Sequence, residues 1–184
     1  MVKIIAGKYR SRVLFTLEGL NTRPMTSRMK ESIFNTIGPY FDGDVILDLF
    51  GGSGALSLEA ISRGASLAYV NEKAYDALKI IKKNVESLGA QNETRILNLD
   101  YKVALKKLVS DQIKFDLVFL DPPYRMNIVG EIVSYLVDND LLKEKAIVVC
   151  QYISGNYHPE DTDKLKVLKN FSYASSEVCI YQKI

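Results

Sequence analysis

The tetrapeptide Asp121-Pro122-Pro123-Tyr124 follows an apolar run, residues 115–120, and its residue types could hold a planar amino group. Proline has a fixed φ and no N–H, so two prolines stop a strand and stiffen the backbone that leaves the sheet. The carboxylate of Asp121 and the carbonyls beside it are then free to accept hydrogen bonds from an exocyclic base amine. Tyr124 could stack on the ring of that base. The alternative interpretation is a rigid turn that only ends the strand.

A second motif lies upstream and predicts a strand, a tight glycine turn and a helix. Residues 45–50 form an apolar run, Gly51-Gly52-Ser53-Gly54 follows, and residues 55–61 have helical composition. A loop of this kind lets backbone approach a ligand closely, above the carboxyl ends of parallel strands. The glycine spacing differs from the dinucleotide fingerprint, and no Lys-Ser or Lys-Thr pair completes a Walker loop. A dinucleotide or a nucleoside triphosphate is therefore disfavoured.

Three carboxylates follow predicted strands and define what the ligand could be. Asp48 precedes the glycine turn, where it would repel a phosphate and suit a positive charge. Glu72 follows the predicted strand 67–71 and can accept two ribose hydroxyls, while Asp100 follows the run 94–99 and could accept from an adenine amino group. A ligand with a sugar, a positive charge and no phosphate matches S-adenosylmethionine.

Together these motifs resemble class I S-adenosylmethionine-dependent methyltransferases, and specifically the RsmD family of 16S ribosomal RNA guanine-N2 methyltransferases. The resemblance covers nearly the whole chain, through residues 4–10, 23–28, 48–56 and 121–124. Gly52 and Met25 stand where alanine and threonine are expected, which leaves the chemistry intact. Gln151 stands near a position where many relatives have an acid, so a role for a carboxylate there is in doubt.

The resemblance implies a role for each matching residue. The catalytic residues would be Asp121, Pro122, Pro123 and Tyr124. The cofactor would contact Asp48, Phe50, Gly51, Ser53, Gly54, Glu72, Lys73, Asp100 and Asp121. The substrate RNA would contact Lys8, Arg10, Arg12, Arg23, Arg28 and Tyr124. No metal is expected, because the chain has one histidine, His158, and no paired Cys or His spacing.

Charge is distributed unevenly along the chain. The net charge is +2, but residues 1–30 have a net charge of +6 and the remainder has −4. A basic segment on a slightly acidic body is typical of contact with a phosphate backbone. The alternative is a solvated edge hairpin whose basic residues prevent aggregation.

The composition predicts one soluble domain with an N-terminal appendage. The chain has 184 residues, of which 47% are apolar and 25% charged. No stretch approaches the roughly 18 apolar residues of a membrane span, and no signal peptide is recognisable, so we expect a cytoplasmic protein. Cys150 and Cys179 lie in apolar runs and are expected to be small buried residues in a reducing compartment.

Periodicity and the resemblance together predict an α/β fold. Residues 2–6 and 8–16 are expected to pair as a hairpin around Gly7 with its basic side chains on an open face, so residues 1–25 form a basic β-hairpin arm. Residues 26–184 form the methyltransferase domain, a Rossmann-like, mostly parallel sheet of seven strands with an antiparallel C-terminal hairpin and helices on both faces. A helix should run from Thr26 or Ser27 to Ile37, with Lys30 off its apolar face. A second should span about 73–88, with Tyr75 in its core stripe.

The predicted reaction is direct transfer of a methyl group to the N2 of a guanine in 16S ribosomal RNA, which the resemblance places within the assembled small subunit. Adenine N6, cytosine N4 and protein glutamine are alternative acceptors, since each has a planar amine. A catalytically silent assembly factor that keeps the cofactor fold is a further alternative, as is a nicotinamide oxidoreductase, which the glycine spacing disfavours.

Overall fold

The computed structural model describes residues 2–17, 26–123 and 125–184, so Arg23, Pro24, Met25 and Tyr124 lie outside the described residues. The strands are β1 (Val2–Lys3), β2 (Val13–Leu14), β3 (Val45–Asp48), β4 (Leu67–Asn71), β5 (Thr94–Leu97), β6 (Phe115–Leu120), β7 (Leu142–Ile153), β8 (Leu165–Tyr173) and β9 (Ser176–Lys183). The α-helices are α1 (Ser27–Ile37), α2 (Ala55–Ser62), α3 (Tyr75–Leu88), α4 (Tyr101–Ser110) and α5 (Val129–Asp138), and a 3₁₀ turn covers Gln91–Glu93.

The main sheet has seven strands in the order β5-β4-β3-β6-β7-β9-β8. The first five are parallel, because a helix connects each of them to the one that follows it in sequence, and β9 lies antiparallel between β7 and β8. The predicted mostly parallel sheet of seven strands with an antiparallel C-terminal hairpin is confirmed. Among the described residues no helix is long and apolar enough to cross a membrane.

Apolar side chains form one cluster on each face of this sheet, as expected for parallel strands covered on both sides. One cluster joins α1, α2 and α3 to the sheet through residues such as Phe34, Ile81 and Phe119. The other joins α4 and α5 through residues such as Leu105 and Leu136. Cys150 and Cys179 are directly paired across β7 and β9, and both are buried free thiols, as predicted.

The N-terminal arm differs from the predicted hairpin. Its two strands have only two residues each, because the backbone between them bonds to α2 and forms tight turns. Lys8 donates its N–H to the Ser62 carbonyl at 2.8 Å, and Tyr9 donates to the Ser62 hydroxyl at 2.9 Å. Ile4 and Leu14 are 1% and 3% exposed and belong to the core, so the arm is packed onto the domain.

Two predictions about helix faces were wrong. Helix α1 begins with Thr26 as its N-cap, as expected, but Lys30 is buried because its ammonium reaches a buried carboxylate, Glu59. Tyr75 is 67% exposed, because it is the first residue of α3 and lies outside the cluster that contains Ile81 and Val85. Buried Leu78, Ile81, Val85 and Leu88 confirm the remainder of that stripe.

Candidate active site

Four carboxylates are brought to one edge of the sheet by the parallel strands. Asp48 is the last residue of β3, Glu72 follows β4, Asp100 lies beyond β5, and Asp121 follows β6. Asp48 is in register with Val70 of β4 and with Phe119 of β6, so its neighbours along the edge come from adjacent strands. The carboxyl ends of parallel strands are where ligands bind in folds of this class.

Asp48 is buried, and the described residues that contact it supply hydrogen bonds and no cation. The Ser57 hydroxyl donates to its carboxylate at 2.7 Å. Burial raises the pKa of Asp48 to about 6, and the charge of Glu72 adds to this, while the bonds from Ser57 and from the Phe50 and Ser57 backbones oppose it. A carboxyl in this state gains most from a positively charged ligand.

Asp121 has a still higher proton affinity. It is half-buried at the end of β6, between buried Leu120 and buried Pro122. Burial raises its pKa to about 7, and the nearby charge of Asp48 raises it further. Among the described residues, no basic side chain forms a salt bridge with Asp121 or Asp48. The pair therefore fits a ligand that brings its own positive charge.

The glycine loop has a backbone that side chains would strain. Gly52 and Gly54 have φ values of +56° and +78°, in the left-handed region, and Gly54 is the N-cap of α2. A Cβ at Gly52 would have nothing within 4 Å, so open space lies in front of the loop. A Cβ at Gly51 would lie 2.5 Å from Val70 Cγ1, so close packing on β4 explains that glycine. The loop can thus bring bare backbone and Ser53 to a ligand.

The Glu72 carboxylate reaches across the edge to this loop. Its oxygens accept from the N–H of Gly52 at 2.9 Å and from the N–H of Ala74 at 2.7 Å. This geometry fixes the carboxylate at the mouth of the open space and leaves lone pairs that can accept from ribose hydroxyls. Glu72 therefore occupies the position that the sequence predicted.

Asp100 is placed more openly than the other carboxylates. It caps α4 by accepting from the N–H of Lys102 at 3.1 Å and pairs with Lys73 at 3.0 Å. The hydrogen bond from Lys73 and that from Lys102 hold its pKa below the ordinary value. Phe50 packs against Tyr101 with ring centroids 5.7 Å apart, so an aromatic surface flanks this end of the edge.

Asn71 is a structural element of the site that the sequence did not single out. Its amide donates to the carbonyls of Leu49 and Leu99, at 3.2 and 3.1 Å, and accepts from the N–H of Leu99. It thereby joins the ends of β3, β4 and β5 beneath the carboxylates. The signal available in the sequence was a polar residue, Asn71, at the end of the run Leu67-Ala68-Tyr69-Val70.

The basic residues predicted to contact RNA fall into separate places. The turn with Lys8, Arg10 and Arg12 docks on Ser62, the last residue of α2, whereas the glycine loop begins that helix. Eight helical residues span about 12 Å, so this turn lies at the far end of α2 from the carboxylate edge, that is, from the end of the sheet with Asp48, Glu72, Asp100 and Asp121. Arg28 is exposed in the first turn of α1.

Two residues of this basic turn are engaged within the molecule. Lys8 pairs with Glu93, and Arg12 donates to the Ser87 carbonyl at 2.6 Å. Arg10 is exposed and has no salt bridge among the described residues. Arg10 is therefore the residue of this turn that is most available to a phosphate.

A buried charge cluster holds the arm and α1 to α2. Glu59 pairs with Lys30 at 2.9 Å and with Arg63 at 2.8 Å, and it accepts from the N–H groups of Ile5 and Ala6. Burial opposes its ionisation, but the charge of Lys30 and these hydrogen bonds outweigh burial and hold the pKa of Glu59 below its ordinary value. A glutamate in an otherwise apolar helix was the only sign of this cluster in the sequence.

Comparison with known proteins identifies relatives along the whole chain. A family model described as Conserved hypothetical protein 95 matches residues 2–182. "Ribosomal RNA small subunit methyltransferase D" of Haemophilus influenzae is 36% identical over 147 residues, which are 80% of this chain and 76% of that protein. A solved structure of a conserved hypothetical protein from Streptococcus pyogenes is 40% identical, with a TM-score of 0.77, and covers 84% of this chain and 95% of that one.

A more distant solved structure contains bound SAH. It is 13% identical to this chain, with a TM-score of 0.70 over 83% of this chain and 49% of its own, and therefore shows the fold alone.

Proposed function

The chain belongs to the Conserved hypothetical protein 95 family, the RsmD family of ribosomal RNA methyltransferases, and from this premise we propose that it methylates the exocyclic N2 of one guanine in 16S ribosomal RNA. The observation that supports the proposal most is the pair Asp48 and Asp121, two carboxyls without a basic partner among the described residues, at the sheet edge beside a rigid Pro-Pro turn. Asp48 fits a cationic cofactor, and Asp121 directly precedes two prolines, which restrict the backbone.

The methyl donor is S-adenosylmethionine, which supplies an activated methyl group on a sulfonium and leaves as a neutral thioether. The protein has no bond of its own to make or break. Asp48 and Asp121 would balance the positive charge, Glu72 would accept from the ribose hydroxyls, and Asp100 would accept from the adenine amine. The loop Gly51 to Gly54 would lie against the cofactor.

Asp121 would also orient the acceptor amine. Its carboxylate and the Pro122 carbonyl are two acceptors on a rigid turn, which suits an NH2 group with two hydrogens. Gripping both hydrogens favours a more pyramidal nitrogen whose lone pair points at the methyl group. Holding the nitrogen about 3–3.5 Å from the methyl carbon would supply the proximity and orientation that the transfer needs. Once the new C–N bond forms, the nitrogen loses a proton, which Asp121 accepts late or passes to water.

Tyr124 is proposed to stack on the guanine ring, although it lies outside the described residues. Stacking would fix the plane of a base that is unpaired or flipped out of its helix.

The RNA phosphates are proposed to contact five basic side chains, those of Lys8, Arg10, Arg12, Arg23 and Arg28. Because the turn with Arg10 and the carboxylate edge lie at opposite ends of α2, one substrate would have to touch both. A preorganised ribosomal surface can present the base and the phosphates to both places at once, so we propose the assembled small subunit in the cytoplasm as the substrate.

The deciding experiment is transfer of labelled methyl from S-adenosylmethionine to small ribosomal subunits and to their naked RNA, both purified from a strain lacking this gene. The labelled RNA is digested and the modified nucleoside identified. We expect N2-methylguanosine at one site, and we expect the Asp121→Ala variant to lose all of it while still binding cofactor.

Other labels would point to other functions. Methyl groups on adenine, on cytosine or on protein glutamine would replace the guanine assignment by one of these related acceptors. Tight cofactor binding with no transfer to either substrate would indicate a silent assembly factor.

A further inference from the structure

Asn84, in the middle of α3, links the N-terminal arm to the glycine loop. Its side-chain oxygen accepts from the N–H of Phe15 at 2.7 Å. Its side-chain NH2 donates to the Phe15 carbonyl at 3.0 Å and to the Ser53 carbonyl at 2.8 Å. The residue is completely buried, at 0% exposure. One amide thus holds two segments that are 38 residues apart in sequence.

These three contacts leave Asn84 a single orientation. Phe15 offers one donor and one acceptor, and Ser53 offers an acceptor, so a flipped amide would point its NH2 at the N–H of Phe15. Breaking the hydrogen bond of Asn84 to Ser53 therefore also disturbs its hydrogen bonds to Phe15. A second contact holds the same point of the arm, because the Lys83 ammonium lies 3.8 Å from the centre of the Phe15 ring.

The linked segments belong to different halves of the proposed reaction. Ser53 is in the loop proposed to contact the cofactor. Phe15 lies between the basic turn at Lys8 to Arg12 and the chain that leads to Arg28 on α1. A change in the loop carbonyl that Asn84 holds must alter how firmly Phe15 is held.

We propose that Asn84 is a positioning residue that couples cofactor binding at the glycine loop to the ordering of the RNA-binding arm. The inference rests on the proposed function, since it assumes that the loop binds cofactor and the arm binds RNA. Cofactor bound against Ser53 fixes the loop, the fixed loop fixes Asn84, and Asn84 fixes the backbone of Phe15. Linkage then requires that RNA binding raise cofactor affinity by the same factor as cofactor raises RNA affinity.

The first test uses hydrogen exchange of the protein with and without S-adenosylhomocysteine and requires no RNA. In the wild type we expect the amide of Phe15 to exchange about fivefold more slowly when this product is bound. Asn84→Leu, which keeps the size of the side chain and removes all three bonds, should abolish that slowing. Asn84→Asp keeps an acceptor for the N–H of Phe15 but loses both donors, and it should do the same.

Two control variants separate coupling from general damage. Thr94→Val removes another buried hydrogen bond, from the Thr94 hydroxyl to the Ala90 carbonyl at 2.9 Å, without touching the loop or the arm. Phe15→Ala removes the ring and its contact with Lys83 but keeps the backbone groups that Asn84 holds. Both should retain the slowing. Equal slowing in the wild type and in both Asn84 variants would overturn the proposal, and so would an absence of slowing in the wild type despite saturated binding.

The second test measures the coupling on the substrate itself. Affinity for small ribosomal subunits from the deletion strain is measured by filter binding with and without S-adenosylhomocysteine. We expect the product to raise affinity about fivefold in the wild type and in Thr94→Val, and to leave it unchanged in Asn84→Leu. An unchanged ratio between wild type and Asn84→Leu would overturn the coupling even if both methylate guanine, whereas transfer to another acceptor with the coupling intact would overturn only the guanine assignment.

Discussion

Asp121 illustrates how a residue can be placed for binding at a cost to stability. Its carboxyl is half-buried, lies near Asp48, and has no salt bridge with the described residues. Such a group is more stable protonated, which is why its pKa is raised to about 7. An arrangement that destabilises the free protein suits a site whose positive charge arrives with the ligand.

This cost gives a prediction for the free energy of unfolding. Because the folded pKa of Asp121 lies above the unfolded value of 3.8, stability falls as pH rises from about 4 to about 7 and then stays low. Replacing the carboxyl by an amide removes that loss. Asp121→Asn should stabilise the free protein at pH 8 by about 2 kcal/mol. This is roughly half of the free energy that the full pKa difference represents, because the carboxyl keeps some contact with solvent. In a thermal melt this is a rise of about 4–8 °C.

The effect should vanish at about pH 3, below both pKa values, where the folded and unfolded states both bind the proton. Asp116→Asn is a control of opposite sign, since Asp116 pairs with Lys143 at 2.6 Å and accepts from the N–H of Val45 at 2.8 Å. That variant should lose stability at pH 8. A melting temperature of Asp121→Asn at or below that of the wild type at pH 8 would show that the carboxyl is not strained.

The same two carboxyls should make cofactor preference depend on pH. S-adenosylmethionine has a sulfonium that S-adenosylhomocysteine lacks, while the rest of the two molecules is the same. As pH rises from 5.5 to 8, Asp48 and Asp121, with pKa values of about 6 and about 7, become ionised. The ratio of the affinity for S-adenosylmethionine to the affinity for S-adenosylhomocysteine, measured by calorimetry, should therefore rise by about tenfold, or 1.4 kcal/mol.

Asp121→Asn supplies the control for this titration. The variant should keep only the part of the change that occurs near pH 6, which belongs to Asp48. A ratio that stays constant with pH in the wild type would mean that the positive charge is balanced elsewhere.

The carboxylates were predictable from sequence because each lies at the end of a predicted strand or shortly after it. Asp48, Glu72, Asp100 and Asp121 share that property, and parallel strands bring their carboxyl ends together whatever the loops do. Asn71, Ser57 and Asn84 were not predicted, because their partners are groups brought near only by the fold. Short-range patterns contain no information about such pairs.

At the scale of elements, the arm shows where periodicity stops being sufficient. Alternation of apolar residues predicted a hairpin around Gly7, and β1 and β2 do pair in antiparallel register. The strands are shorter than predicted because α2 competes for the backbone groups between them. Glu59 takes the N–H groups of Ile5 and Ala6, which a longer ladder would otherwise use.

Gly7 packs closely against the last residue of α2, and a substitution there gives a prediction. Its φ is +84°, and a Cβ there would lie 1.7 Å from the Ser62 carbonyl oxygen. Gly155 has the same φ of +84° but nothing within 4 Å of a Cβ. Gly7→Ala should therefore cost about 2 kcal/mol more than Gly155→Ala in urea unfolding, because both suffer backbone strain and only one has a clash.

Hydrogen exchange should locate the damage of Gly7→Ala. The amides of Ile5, Ala6 and Lys8, which bond to α2, should lose protection, while those of β6 keep it. If the two alanine variants were equally stable, the arm would have to move away from α2 without cost, and the packing of Ile4 and Leu14 would contribute little.

For the molecule as a whole, charge and fold together set how an RNA could be gripped. The first 30 residues have a net charge of +6, but the fold sorts their basic side chains. Lys30 is buried against Glu59, Lys8 pairs with Glu93, and Arg12 bonds to α3, so fewer cations face solvent freely than the sequence implies. Counting charges along the sequence therefore overstates the number of cations that are free to contact a phosphate.

Arg10 should be the residue of the basic turn that contributes most to the salt dependence of RNA binding. It is exposed and has no acidic partner among the described residues, so a phosphate contact would release counterions without first breaking an ion pair. In Arg10→Ala the slope of log affinity against log salt concentration should fall by about 0.7–0.9. The affinity for small subunits is measured by filter binding over a roughly sixfold range of salt concentration, from about 50 to about 300 mM.

Lys114→Ala is the matched control. Lys114 is exposed and pairs with Asp140. Its neighbour Ile113 packs on the face of the sheet opposite to the face that the arm covers, so the loss of Lys114 should leave the slope unchanged. Equal slopes for wild type and Arg10→Ala would remove this turn from the RNA interface, and recognition would then depend on the carboxylate edge and α1.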